Sequence, residues 1–179
     1  MPVLIEALSV VVSIDAINVK YAGGWPAFVA RVPNRTLCFD AEIARVGFMS
    51  PADVRAFVDE LESFGLQYLS DGMAQDIAVV DQLQGFLVRA DWLETAVLPI
   101  DGHDGTVVVC RLAGSIDEEP VFPDRWKFQD SMSQRRGFMS EEEAKRLLRY
   151  LRTTDDGVDV FLNESSGEEV FIGRTSRHQ

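Results

Sequence analysis

The chain has 179 residues, 46% of them hydrophobic and 26% charged, a balance that excludes general disorder. Its formal net charge is −12, spread over both halves: residues 1–90 carry 6 basic and 11 acidic groups, and residues 91–179 carry 11 and 18. A surface of that sign repels nucleic-acid phosphate and anionic lipid and attracts basic partners, so neither a nucleic-acid nor a membrane role is expected.

The run from Val3 to Val12 is apolar apart from Glu6 and has no basic segment before it, so it reads as a buried β-strand rather than a signal peptide. No stretch approaches the length of a membrane span, and two cysteines, Cys38 and Cys110, are too few for a disulfide framework. Both are expected as buried thiols in a cytoplasmic protein. Asp15 is placed to cap a short helix, which Gly23-Gly24-Trp25-Pro26 breaks before a second helical turn through Val32. Residues 36–39 read as a short strand.

Ser50-Pro51-Ala52-Asp53 then supplies an N-cap serine, a proline at the first helical position and an acid three residues past the cap. Val54, Phe57, Val58 and Leu61 follow at helical spacing, predicting an amphipathic helix from Pro51 to Ser63 that Gly65 ends. Strand-like runs follow at 66–69 and 77–80. Trp92 to Ile100 and Thr106 to Leu112 flank Gly102-His103-Asp104-Gly105 as a hairpin. Ser115 to Pro120 reads as an exposed acidic loop. A second capped helix is expected from Ser140-Glu141-Glu142-Glu143, with Leu147, Leu148 and Leu151 on its apolar face and Lys145, Arg146, Arg149 and Arg152 towards its end. A hairpin of 158–162 and 169–172 closes the chain.

These elements fall into a pattern of spacing ninety. Residues 33–50 lie without a gap over residues 123–140, and eight of the eighteen pairs are identical: Pro33/Pro123, Arg35/Arg125, Asp40/Asp130, Arg45/Arg135 and the whole Gly-Phe-Met-Ser block at 47–50 and 137–140. About one match is expected by chance at average residue frequencies. The expectation is an α+β fold made by internal duplication of a unit of strand, loop, capped helix and hairpin. One compact domain, 1–179, would pack two pseudo-repeats, about 1–90 and 91–179, about a pseudo-two-fold axis. In the repeated block, glycine is read as allowing an unusual backbone angle, Phe48 and Phe138 as hydrophobic staples and serine as the cap.

The charged residues kept in both stretches, Arg35, Asp40, Arg45, Arg125, Asp130 and Arg135, are the candidate ligand-binding set. Facing copies would gather guanidinium groups able to grip a phosphate or carboxylate. The simpler reading is an Arg–Asp pair within each copy that pins the loop before the helix. The basic cluster of Arg135, Arg136, Lys145, Arg146, Arg149 and Arg152 lacks interleaved aromatics and reads as a solvated helix face. A metal site from His103 beside Asp101 and Asp104 is not expected of a lone turn histidine, His178 lies in the tail, Cys110 lies inside an apolar strand, and neither Asp76/Asp81 nor Asp155/Asp156 differs from surface acids. Trp25, Trp92 and Trp126 read as core or groove aromatics.

No catalytic residue, metal site or cofactor is therefore expected. The leading expectation is a non-catalytic protein-binding factor, inhibitor-like or immunity-like, that occupies a basic protein surface. The alternative is a small anionic-ligand binder or hydrolase-like enzyme with its site between the two repeats. A third is self-association through an exposed hairpin edge.

Overall fold

The computed structural model describes residues 1–103, 105–135, 148–153, 158–163 and 169–173, and shows a mixed α+β fold of antiparallel sheets. The first apolar run makes two strands rather than one. β1 (Val3–Ile5) and β2 (Leu8–Ser13) are parted at Glu6-Ala7, where Ala7 takes a φ of 47° and is clamped by Gln82, whose Oε1 accepts the Ala7 N–H at 3.0 Å while its own N–H donates to the Ala7 carbonyl at 2.9 Å. The kink sends the two strands into different sheets.

α1 (Ile14–Lys20) is capped by Ser13, whose hydroxyl accepts the Ala16 N–H at 3.2 Å. Asp15 is thus not the cap but sits in the first turn, where its charge suits the helix dipole. α2 (Gly24–Arg31), the two-residue β3 (Cys38–Phe39) and β4 (Ile43–Phe48) follow. The loop expected before the main helix is in fact β4, all six residues of which are buried. α3 (Pro51–Ser63) has the expected bounds, cap and buried face of Val54, Phe57, Val58 and Leu61. Gly65 ends it in a Schellman arrangement: at φ 106° its N–H reaches the Glu62 carbonyl and the Leu66 N–H reaches that of Leu61.

β5 (Leu69–Ser70) and β6 (Met73–Ala74) form a small hairpin, slightly later than the expected strand at 66–69. β7 (Ile77–Asp81), β8 (Gly85–Phe86), β9 (Leu93–Pro99) and β10 (Thr106–Leu112) follow. After a 3-10 turn at Phe128–Asp130 and a short α4 (Met132–Arg135) come β11 (Leu148–Thr153), β12 (Val158–Asn163) and β13 (Glu169–Gly173), an antiparallel sheet in which β12 and β13 are the expected closing hairpin.

The architecture of the first 112 residues follows from the two-residue period of β2, β4 and β7. A five-stranded sheet of order β3-β4-β2-β7-β8 turns Val10, Val12, Ala44, Val46, Ile77 and Val79 to one side, against Ile17, Phe28, Phe57 and Leu61 of the three helices. The alternate residues Val11, Ile43, Ala78 and Val80 face a three-stranded sheet of order β1-β10-β9, supplying Val3, Leu4, Ile5 and Val107 to Cys110. Helices, large sheet and small sheet are thus three stacked layers with two apolar seams.

Residues 33–37 and 123–127 are irregular in both stretches, and from there the described parts of the ninety-residue repeat diverge. Phe39 and Arg45 lie on β3 and β4, whereas Gln129 and Arg135 lie in the 3-10 turn and α4. The second Gly-Phe-Met-Ser block and its capping box lie outside the described residues. Leu148 to Arg152, expected to close a helix, instead form β11, where antiparallel pairing with β12 overrides local helical propensity.

Candidate functional site

Arg45 decides how the expected ligand set is read. It is 2% exposed and points from β4 into the seam between the two sheets. Its Nε donates to Ser9 Oγ at 2.8 Å, one terminal nitrogen to the Glu6 carbonyl at 2.9 Å and the other to the Thr36 carbonyl at 3.4 Å. Burial pulls its pKa down from the ordinary arginine value, opposed by the nearby Cys38 and Glu6; guanidinium basicity keeps it a cation. The same seam explains Gly47. Its backbone is ordinary strand, but a Cβ there would lie 2.5 Å from an Arg45 nitrogen, so the glycine makes room for the guanidinium rather than supplying an unusual angle. The Glu6 carboxylate continues the network outward, accepting the Trp126 indole N–H at 3.1 Å and the Ser133 N–H and hydroxyl at 3.0 and 2.8 Å.

The other candidates take separate places. Asp40 closes a turn, its Oδ1 accepting the Glu42 and Ile43 N–H groups at 2.7 and 2.8 Å and its Oδ2 the Met1 ammonium at 2.7 Å. It does not pair with Arg35, which is exposed, or with Arg45. Arg125 is exposed, 3.7 Å from its neighbour Asp124, at a φ of 62°. The side chains of Asp130 and Arg135 lie outside those described. Of the remaining motifs, His103 packs against Phe128, the Asp76 carboxylate holds Lys20 at 2.7 Å, and Asp81 caps the turn at Leu83 and Gln84. Burial pushes the Cys38 and Cys110 thiols up, away from the thiolate that nucleophilic chemistry needs.

A groove of about 390 Å³ lies on the helix side, between α3 and the chain that follows α2. Asp53, Ala56, Phe57 and Glu60, at positions i, i+3, i+4 and i+7 of α3, form one wall. Pro33 and Asn34 form the other, and Phe48 completes the floor, its ring 5.3 Å from that of Phe57. Phe48 is therefore not an N′ staple: that position belongs to Met49, 69% exposed, while Phe48 packs one turn further along the helix. Asn34 is rigid, its amide donating to the Gly47 carbonyl at 2.8 Å and its Oδ1 accepting the Thr36 hydroxyl at 2.6 Å. Glu60 meets Arg31 at 3.4 Å in a solvent-exposed pair, and Arg31 also lies over the Phe64 ring at 4.0 Å. Such a pair is worth little and yields readily to a competing cation.

The groove thus offers two carboxylates on one helical wall, with only the edges of two buried rings, Phe48 at 7% and Phe57 at 3% exposed, between them. An amphipathic cation, with an apolar stem and a charged head, matches that pattern. Phe57 is a core residue as its spacing predicts; the sequence signal for the groove is the stripe Asp53, Ala56 and Glu60 beside it, a small residue between two acids. No family model, curated protein or solved structure shows significant similarity to the chain.

Proposed function

We propose that the chain is a non-catalytic protein-binding factor, inhibitor-like or immunity-like, that captures a basic protein and seats one of its lysine or arginine side chains in the α3 groove. The observation that carries this reading is the pair of carboxylates, Asp53 and Glu60, that line the groove from one face of α3 two turns apart. The stem of the incoming side chain would lie along the groove beside Ala56 and Pro33 and its head would meet the carboxylates, displacing Arg31 from Glu60. The net charge of −12 would speed encounter with such a partner and make the rate fall as salt rises.

The test is backbone-amide shift mapping with the pentapeptide Gly-Gly-Arg-Gly-Gly as probe. Shifts are expected at Phe48, Ala56 and Phe57 and are expected to vanish in the Asp53→Asn, Glu60→Gln double variant. Shifts spread evenly over all acidic surfaces, or unchanged in the double variant, would contradict the assignment.

A further inference from the structure

The outer strands of the two stacked sheets are unequal. β3 and β8, at the edges of the large sheet, are two residues each. β1, at one edge of the small sheet, is three residues long and shielded by Val121, which accepts the Leu4 N–H at 3.1 Å and donates to the Pro2 carbonyl at 2.8 Å. Short or covered edges are the usual protection against unwanted pairing. β9 is longer, seven residues, and among the described residues only β10 pairs with it.

The register shows which groups face outward. The Ala113 N–H donates to the Trp92 carbonyl and the Ile100 N–H to the Gly105 carbonyl, so the even-numbered residues Trp92 to Ile100 occupy the hydrogen-bonded pairs with β10. The N–H and C=O groups of Thr95 and Val97 therefore point away from the sheet, and both side chains are exposed. Charge selects the occupant. Asp91 and Asp101 flank β9 symmetrically about Ala96, Asp91 paired with Arg89 at 2.5 Å; Glu94 is held at the start of β9 by Arg111 at 2.8 Å, and Asp117, Glu118 and Glu119 are exposed on the loop that Arg111 binds through the Asp117 carbonyl. A second copy pairing antiparallel about Ala96 would set Asp91 against Asp101 at each end, added to the mutual repulsion of two chains of −12.

We propose that the open edge of β9 docks an extended segment of a partner protein with basic residues at its ends, added as a fourth strand of the small sheet. This rests on the reading of the chain as a binder of basic protein, but on a surface separate from the groove. The probe is the peptide Lys-Thr-Val-Thr-Val-Thr-Lys, followed by amide hydrogen exchange and light scattering. At saturation the Thr95 and Val97 amides are expected to slow by about tenfold or more, and affinity is expected to fall as salt rises. Val97→Pro removes only an outward donor and should abolish binding with the fold intact; Ala96→Pro strikes the β9–β10 ladder and marks what unfolding looks like. Unprotected Thr95 and Val97 amides, or undiminished binding to Val97→Pro, would overturn the proposal. So would a dimer abolished by Val97→Pro, since the occupant would then be a second copy. The Asp53→Asn, Glu60→Gln protein should bind this peptide like the parent; loss there alone would move the peptide to the groove and overturn the edge assignment while leaving the reading of the groove in place.

Discussion

Arg45 and Gly47 form one structural unit, two residues apart on β4, with the guanidinium lying across the glycine. Gly47→Ala forces that cation against its seals and is expected to cost about 1–3 kcal/mol, the range for overpacking a filled seam. Arg45→Ala leaves the Ser9, Glu6 and Thr36 oxygens without their donor and opens a cavity, an expected loss of about 2–4 kcal/mol. In the double variant the clash has no partner, so urea denaturation should show a loss smaller than the sum; strict additivity would show that the two residues do not meet. Tyr21 is a second test at this scale. Its hydroxyl is buried and, among the described residues, has no hydrogen-bond partner, while the ring packs on Phe28 and Phe64. Tyr21→Phe keeps the packing and removes the unsatisfied group, so it should leave stability unchanged or raise it by about 1 kcal/mol; a clear loss in Tm would reveal a partner for the hydroxyl.

Elements with local instructions were legible in the sequence. α3 is the clearest: Ser50 accepts the Ala52 N–H at 3.1 Å, Pro51 opens the first turn and Gly65 closes the last. Ser50→Ala is expected to cost about 1 kcal/mol, read as a lowered Tm with the same fold. The hairpins of β9 with β10 and β12 with β13 were legible for the same reason, since turn residues sit between two β-rich runs. β4 was not. Its sequence, Ile-Ala-Arg-Val-Gly-Phe, carries an arginine and a glycine that argue locally against a buried central strand. Only the seam between the sheets, which supplies three oxygens to the guanidinium, makes the assignment sensible. The break at Glu6-Ala7 was hidden likewise, because Gln82, 75 residues away, holds it. Within the groove, the helical wall was readable from spacing, whereas the opposite wall depends on how Asn34 and Thr36 bond to Gly47.

Over the whole molecule, the ninety-residue identity suggested two like halves, but the matched residues at 43–45 and 133–135 are strand in one and helix in the other. Eight identical pairs in eighteen do not dictate strand pairing, which is decided by what each segment packs against. The global charge was legible from composition alone; its deployment along the α3 groove was not. The account centres on that groove as the docking point for a basic protein. The most direct test is capture from the native lysate at low and moderate salt, comparing the tagged chain with its Asp53→Lys, Glu60→Lys variant, and identifying retained proteins by mass spectrometry. The expected result is one stoichiometric basic protein held by the parent, released as salt rises and absent from the variant. A partner retained equally by both, or an empty parent column at low salt, would contradict it.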